Sequence, residues 1–210
     1  MKIQIISLKN NKERRYKCLK LKEKNPNIDL FDAIDKKNPE LIKQMCKKHN
    51  VNMECHGATG CALSHIILLK QFIESDEKYM IVLEDDCIIL QKLPNNDKNI
   101  EKILKNININ HKNTDILYLT GRITSNNKYE VTSAIGTYGY IVTKHGAKKI
   151  IEVSYGTTIP IDWVIEAHCV HGRDEIRNKA TYITTDIKIR AYKSKIQYIS
   201  HNDKLKSNIN

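Results

Sequence analysis

Apolar positions along this chain fall into short blocks separated by stretches rich in lysine and asparagine. "KIQIISL" (2–8) has the length and composition of an opening strand, and the polar turn "KNN" leads to a Lys/Arg-rich helix over about residues 12–22. "DLFDAID" predicts a second short strand and turn, and residues 39–49 a helix. In "HGATGCALSHIILLKQFIES", Ala62, Ile66, Leu69 and Ile73 recur at helical spacing, with Thr59 placed to cap the helix. "YMIVL" (79–83) is apolar without alternation, as a strand covered on both faces requires. "DILYLTG" repeats that pattern, "GTYGYIVT" runs into the helix-like "HGAKKIIEV", and "TYITTDIKIR" predicts a late strand. No internal repeat or coiled-coil pattern is present, and the last residues are polar.

Strands alternating with helices predict an α/β domain whose sheet is mainly parallel and flanked by helices. In such sheets ligands bind beyond the carboxyl ends of the strands. Glu84, Asp85 and Asp86 follow "YMIVL" at that end. Side chains alternate along an extended chain, which would turn Glu84 and Asp86 one way and Asp85 the other. Two hard carboxylates on one side suit Mn²⁺ or Mg²⁺, which take oxygen ligands and leave positions for phosphates. The alternative is a set of solvated acids in a loop. Nearby features point to an anion: the start of the helix after "HGATG", and Arg14 and Arg15 in the first turn of the first helix. The glycines of "GTYGYIV" provide either a close backbone approach to a ligand or a simple turn.

A length of 210 residues suits one domain, and a net charge of +11 favours an anionic partner. Lysine mixed with asparagine and isoleucine throughout also fits a plain compositional bias, so charge alone does not point to nucleic acid. No apolar run approaches the roughly 20 residues of a membrane span, and no leader is visible. The expected location is therefore the cytosol, bacterial or host, at most peripheral to a membrane. The six cysteines have no paired spacing and read as reduced thiols. Two groups invite a zinc reading: Cys55 and His56 with Cys61 and His65, and His168 and Cys169 with His171. Neither spacing closes a tetrahedral site by itself.

In order, "GATGCALSH", "VLEDD", "GTYGYIVTKHGAKKII" and "IPIDW" resemble the motifs of glycosyltransferase family 25. The opening "IISLKNNKERR" and "LFDAID" resemble its first strand, arginine-bearing helix and "FxA" segment, and the similarity runs from about residue 3 to 165. That family includes lipooligosaccharide and procollagen galactosyltransferases. The resemblance implies a GT-A-like, Rossmann-like domain over residues 1–200, with 201–210 as a polar tail. It implies inverting transfer of galactose or glucose from a UDP-sugar to a glycan or a hydroxylysine-type, collagen-like acceptor. Donor contacts are expected from Ser7, Arg14, Arg15, Gly57, Glu84, Asp85 and Gly139. "EDD" stands in place of a DxD motif, so Asp86 with Glu84 would hold Mn²⁺ or Mg²⁺.

An inverting transfer needs a base for the acceptor hydroxyl. Asp162 is the candidate, with the helix dipole favouring its ionised form, and Glu166 is the reserve. Both also suit plain helix-start acids. His65 reads as a buried, hydrogen-bonded support. Two rival classes remain at this stage. A metal-dependent nuclease is opposed by the single Trp and two Phe, which leave few stacking platforms. A non-catalytic sugar-binding module is opposed by the intact acids.

Overall fold

A computed structural model describes residues 1–49, 58–119, 123–155, 160–173, 175–176 and 186–202. The chain runs β1 (Lys2–Ser7), α1 (Lys12–Lys24), β2 (Ile28–Asp32), α2 (Pro39–His49), α3 (Thr59–Glu74), β3 (Tyr79–Glu84) and β4 (Cys87–Ile89). There follow α4 (Asp97–Asn106), β5 (Ile116–Tyr118), β6 (Ile123–Ser125), β7 (Val131–Ala134), β8 (Gly139–Thr143), α5 (Lys144–Val153), α6 (Ile161–His168), β9 (Ala191–Lys193) and β10 (Ile199–His201).

Six strands form the central sheet in the order β2-β1-β3-β8-β5-β9. Pairings are parallel except at β8, which opposes both β3 and β5. The sheet is thus mainly parallel with one reversed strand. That reversal decides what reaches the site. Because β8 starts where its neighbours end, the loop before it (135–138) lies at the same edge as Glu84, and Glu84 N–H donates to the Tyr138 carbonyl.

The unbroken "YMIVL" run has the expected physical reason. Met80 and Val82 pack under one face with α3, α5 and α6, while Tyr79, Ile81 and Leu83 pack under the other with α1 and α4. All five are at most 2% exposed. At roughly 1.5–3 kcal/mol per buried large apolar side chain, this strand anchors the sheet and gives the acids at its end a rigid base.

Three expectations need correction. Thr59 is the first residue of α3 and not its cap; Ala58 holds that position and makes no side-chain cap bond. The late strand lies at 191–193, beyond "TYITTDIKIR", of which residues 181–185 lie outside the described residues. Asp85 and Asp86 do not continue the strand alternation. The strand stops at Glu84 and the next two residues form a turn, so one arginine meets both. Among the described residues, no helix is long and apolar enough to cross a membrane.

Candidate active site

At the carboxyl edge of β1 and β3 a cleft is lined by Ile6, Arg14, Ile34, Gly60, Cys61, Ser64, His65 and the three acids. Its walls are fixed by short-range chemistry. Ser64 Oγ donates to the Gly60 carbonyl at 2.6 Å and accepts from Ile34 N–H at 2.8 Å, tying the loop after β2 to the first turn of α3. A Cβ on Gly60 would stand 2.5 Å from the Ile34 carbonyl oxygen, so only glycine permits this approach.

Glu84 accepts from Thr137 Oγ1 at 2.5 Å and lies 3.3 Å from His65 Nε2. The other ring nitrogen of His65 meets the Tyr140 hydroxyl at 2.9 Å. Burial alone would raise the Glu84 carboxyl; the bonds and charge from His65, with Thr137, outweigh it and hold the group below its usual range.

Arg14, itself buried, donates from Nη1 to Asp85 Oδ1 at 2.8 Å and to Asp86 Oδ2 at 3.2 Å. Asp86 Oδ2 also lies 3.5 Å from His201 Nε2, on β10, and His201 packs at 4.2 Å against the Tyr138 ring. Asp86 Oδ1 is buried and has no hydrogen-bond partner among the described residues. Burial, then the neighbouring Glu84 charge, push the Asp86 carboxyl up. Asp85 and Asp86 therefore share one guanidinium with Glu84 close by, and like charges about 4 Å apart repel by about 4 kcal/mol at an intermediate dielectric. A divalent cation would remove that strain.

Arg15 points elsewhere. It donates to the Ser7 carbonyl at 3.2 Å and pairs with Asp32 at 2.9 Å, pinning the ends of β1 and β2 together. Ser7 is buried as the last residue of β1. Gly139 is close-packed for a reason other than a ligand: a Cβ there would meet Ile199 Cδ1 at 2.0 Å and Leu83 Cδ2 at 2.9 Å. Gly136 is the conformationally special glycine of that segment, with φ of +86°. Gly57 lies outside the described residues, as do Cys55 and His56.

Asp162 sits in the first turn of α6, where its Oδ2 accepts from Gly136 N–H at 2.9 Å. Burial raises its pKa; the Gly136 and Trp163 N–H groups lower it without offsetting that, and the Glu84 charge adds to the rise. Thus the N-terminal dipole does not dominate there. Glu166, one turn on, is fully buried and committed: to Arg173 Nε at 2.5 Å, Arg173 Nη2 at 3.2 Å and Ala134 N–H at 2.8 Å. Both of its oxygens are thus taken up by the chain's own donors. In the second cysteine–histidine group, His168 Nδ1 meets the Ile187 carbonyl and His171 pairs with Glu130.

The site residues that sequence reasoning missed are Thr137, Tyr138, Tyr140, Ser64 and His201. "GTYGY" drew notice for its glycines; Gly136 does meet Asp162, but the contacts to Glu84, His65 and His201 come from Thr137, Tyr140 and Tyr138. For His201 no local signal exists.

The sequence profile of glycosyltransferase family 25 (LPS biosynthesis protein) matches residues 1–165. A Haemophilus influenzae protein named as a glycosyltransferase is 27% identical over 194 aligned positions, which cover 81% of this chain and 64% of that protein. Human procollagen galactosyltransferase 2 is 24% identical over 184 positions, covering 76% of this chain and 29% of the enzyme. The chain therefore spans less than two thirds of the length of either relative. A crystal structure of a glycosyltransferase involved in glycosylation of the PBCV-1 major capsid aligns over 98% of this chain and 95% of that one, at 15% identity and a TM-score of 0.41. That likeness is too distant to bear on chemistry. The profile match covers well over half of the sequence, in the order of the motifs that line the cleft, and on that ground the chain belongs to glycosyltransferase family 25.

Proposed function

We propose that this protein transfers a hexose, galactose or glucose, from a UDP-sugar to a hydroxyl of a glycan or hydroxylysine-type acceptor, with inversion and with help from a divalent cation. The observation that carries this reading is Asp86: a cleft-lining acid with a buried oxygen that lacks a hydrogen-bond partner among the described residues, beside two further carboxylates and Arg14. The oxygen donors fit Mn²⁺ or Mg²⁺. Asp86 and Glu84 would hold the ion, which when bound supplies positive charge against a departing diphosphate. Thr137 and His65 orient Glu84 for that task.

Arg14 steadies Asp85 and Asp86 and adds fixed positive charge for the diphosphate. The start of α3, close against residues 34–36, offers backbone N–H groups to the same anion. Asp162 takes the acceptor proton: the hydroxyl oxygen bonds to the anomeric carbon, the bond to UDP breaks, and the proton passes to the carboxylate. A raised pKa makes Asp162 a stronger base than an ordinary surface acid, and Gly136 N–H fixes one of its oxygens.

The test is calorimetric titration of UDP with and without Mn²⁺, beside UDP-sugar turnover, on wild type and Asp86→Asn. Mn²⁺ should tighten UDP binding to wild type. The variant should lose that dependence and about 10²- to 10³-fold of turnover, the scale of one lost charge-stabilising group. Equal UDP affinity and turnover in the two proteins would refute the assignment.

A further inference from the structure

Three side chains of different chemistry meet at the floor of the cleft. Cys61 and His65 stand four residues apart on α3, so they share a face one turn apart. Glu84 reaches them from the end of β3. One ligand atom from each lies within 4.8 Å of the other two. His65 Nε2 and Glu84 Oε1 are 3.3 Å apart. In tetrahedral zinc, bonds of about 2.0–2.3 Å set neighbouring ligand atoms roughly 3.3–3.7 Å apart. The imidazole and carboxylate are already at that spacing. The thiol needs a displacement of about an ångström or less to join them.

We infer that Cys61, His65 and Glu84 form a binding site for a thiophilic divalent cation of the Zn²⁺ and Cd²⁺ class, chemically distinct from the hard-cation set at Asp86.

A second observation supports it. The Tyr140 hydroxyl, fully buried, holds His65 Nδ1 at 2.9 Å, the outer-shell arrangement that fixes the ring of a metal-bound histidine. A metal on Nε2 would replace the contact of that nitrogen with Glu84 and leave Nδ1 on the Tyr140 hydroxyl. Sulfur and imidazole donors select zinc and cadmium over manganese and magnesium. Three protein ligands also leave a fourth position open toward the cleft. Resting on the transferase reading, one consequence follows: a soft cation on this site takes Glu84 from the hard cation and so inhibits donor binding.

Titration of the metal-free full chain with Cd²⁺, followed by the ultraviolet thiolate-to-cadmium band, tests the site without any assay of activity. Wild type should give a saturable band that Zn²⁺ suppresses by competition. Cys61→Ser should weaken Cd²⁺ binding by more than about a hundredfold, beyond the loss of an outer-shell partner, and Tyr140→Phe by about 10- to 100-fold. Asp86→Asn and Cys46→Ser should retain the band. A band that survives in Cys61→Ser, or that Cys46→Ser abolishes equally, overturns the inference. Circular dichroism of each variant separates misfolding from ligand loss, and Tyr140→Phe, which leaves all three ligands in place, provides a second route to refutation if Cd²⁺ affinity is unchanged. If Mn²⁺ and UDP-sugar fail to bind while the Cd²⁺ band stands, the transferase reading falls and this site does not.

Discussion

At the amino edge of the sheet, Asp115 is fully buried just before β5 and is surrounded by cations and donors. Lys149 Nζ lies at 2.7 Å, Arg190 N–H at 2.8 Å, Arg190 Nε at 3.7 Å and His145 Nε2 at 3.9 Å. At the carboxyl edge the proportion is inverted: Asp85 and Asp86 share Arg14 while Glu84 rests on His65 and Thr137, and one oxygen of Asp86, like one of Asp115, has no hydrogen-bond partner among the described residues. Both regions hold buried acids on the same framework. The first is neutralised by its own chain and holds α5 and the segment before β9 against the sheet. The second is left with excess negative charge, which makes folding harder and cation binding easier. Buried charge that a protein leaves uncompensated points to a ligand more directly than buried charge does by itself.

The contrast can be broken most severely at Asp162, which faces the under-neutralised edge. Asp162→Asn should lower transfer to acceptor by about 10²- to 10⁴-fold while UDP affinity stays near wild type, measured on one preparation. The same residue predicts a pH profile. Its pKa is raised in the folded chain, so transfer should decline as pH falls through that raised value, on an acid limb displaced upward from that of an unperturbed aspartate. The linked stability has the opposite sign: it is fully present below the unfolded pKa and lost as pH rises through the folded one. Asp162→Asn should therefore melt slightly higher than wild type at neutral pH. A lower midpoint would show the carboxylate to be a structural cap.

Next in size is the neutralised edge. Asp115→Ala should cost about 1–3 kcal/mol of stability, because the Arg190 N–H loses its acceptor and Lys149 its partner. Turnover per folded molecule should be unchanged. Urea denaturation beside an active-site titration checks both halves, and a catalytic defect larger than the stability loss would dissolve the distinction between the edges.

A smaller effect separates the two neighbouring arginines. Arg14→Ala removes the guanidinium shared by Asp85 and Asp86 and should weaken UDP binding by roughly 10-fold or more, as charge-assisted bonds of this kind imply. Arg15→Ala, whose partner Asp32 is half exposed, should cost about 1 kcal/mol of stability or less and change donor affinity less than Arg14→Ala. Equal dissociation constants for the two variants would count against Arg14 as the donor-facing member.

Much of this was legible in the sequence because it depends on local pattern. Helical spacing in "ALSHIILLKQF" and the unbroken "YMIVL" run fixed α3 and β3, and with them the edge where the acids lie. Adjacent arginines on a helix project about 100° apart, which is why only Arg14 reaches the acids. What was not legible depends on pairings between distant segments. Nothing local says that β8 runs backwards, so nothing local puts Thr137 beside Glu84 or Gly136 beside Asp162. The three-residue strands β4, β6, β9 and β10 carry too few positions for any periodicity to register, whereas β5, equally short, lies in the apolar run "ILYL". Glu166 looked like a spare base because its partner Arg173 comes from beyond the helix that carries it, and the sequence did not show which of the chain's many cations would turn inward.

The pairing of β10 with β4 has a practical consequence for anyone who shortens this protein. Residues 1–165 carry the family's sequence signature, but β9 closes the outer side of β5, and β10 brings His201 to Asp86. Trimming at the end of the signature would bare a row of unpaired backbone groups along β5, the kind of surface on which chains aggregate. It would also strip the acids of one of their few nitrogen neighbours. The smallest useful fragment therefore extends through Asn202, whose N–H caps the Asp86 carbonyl.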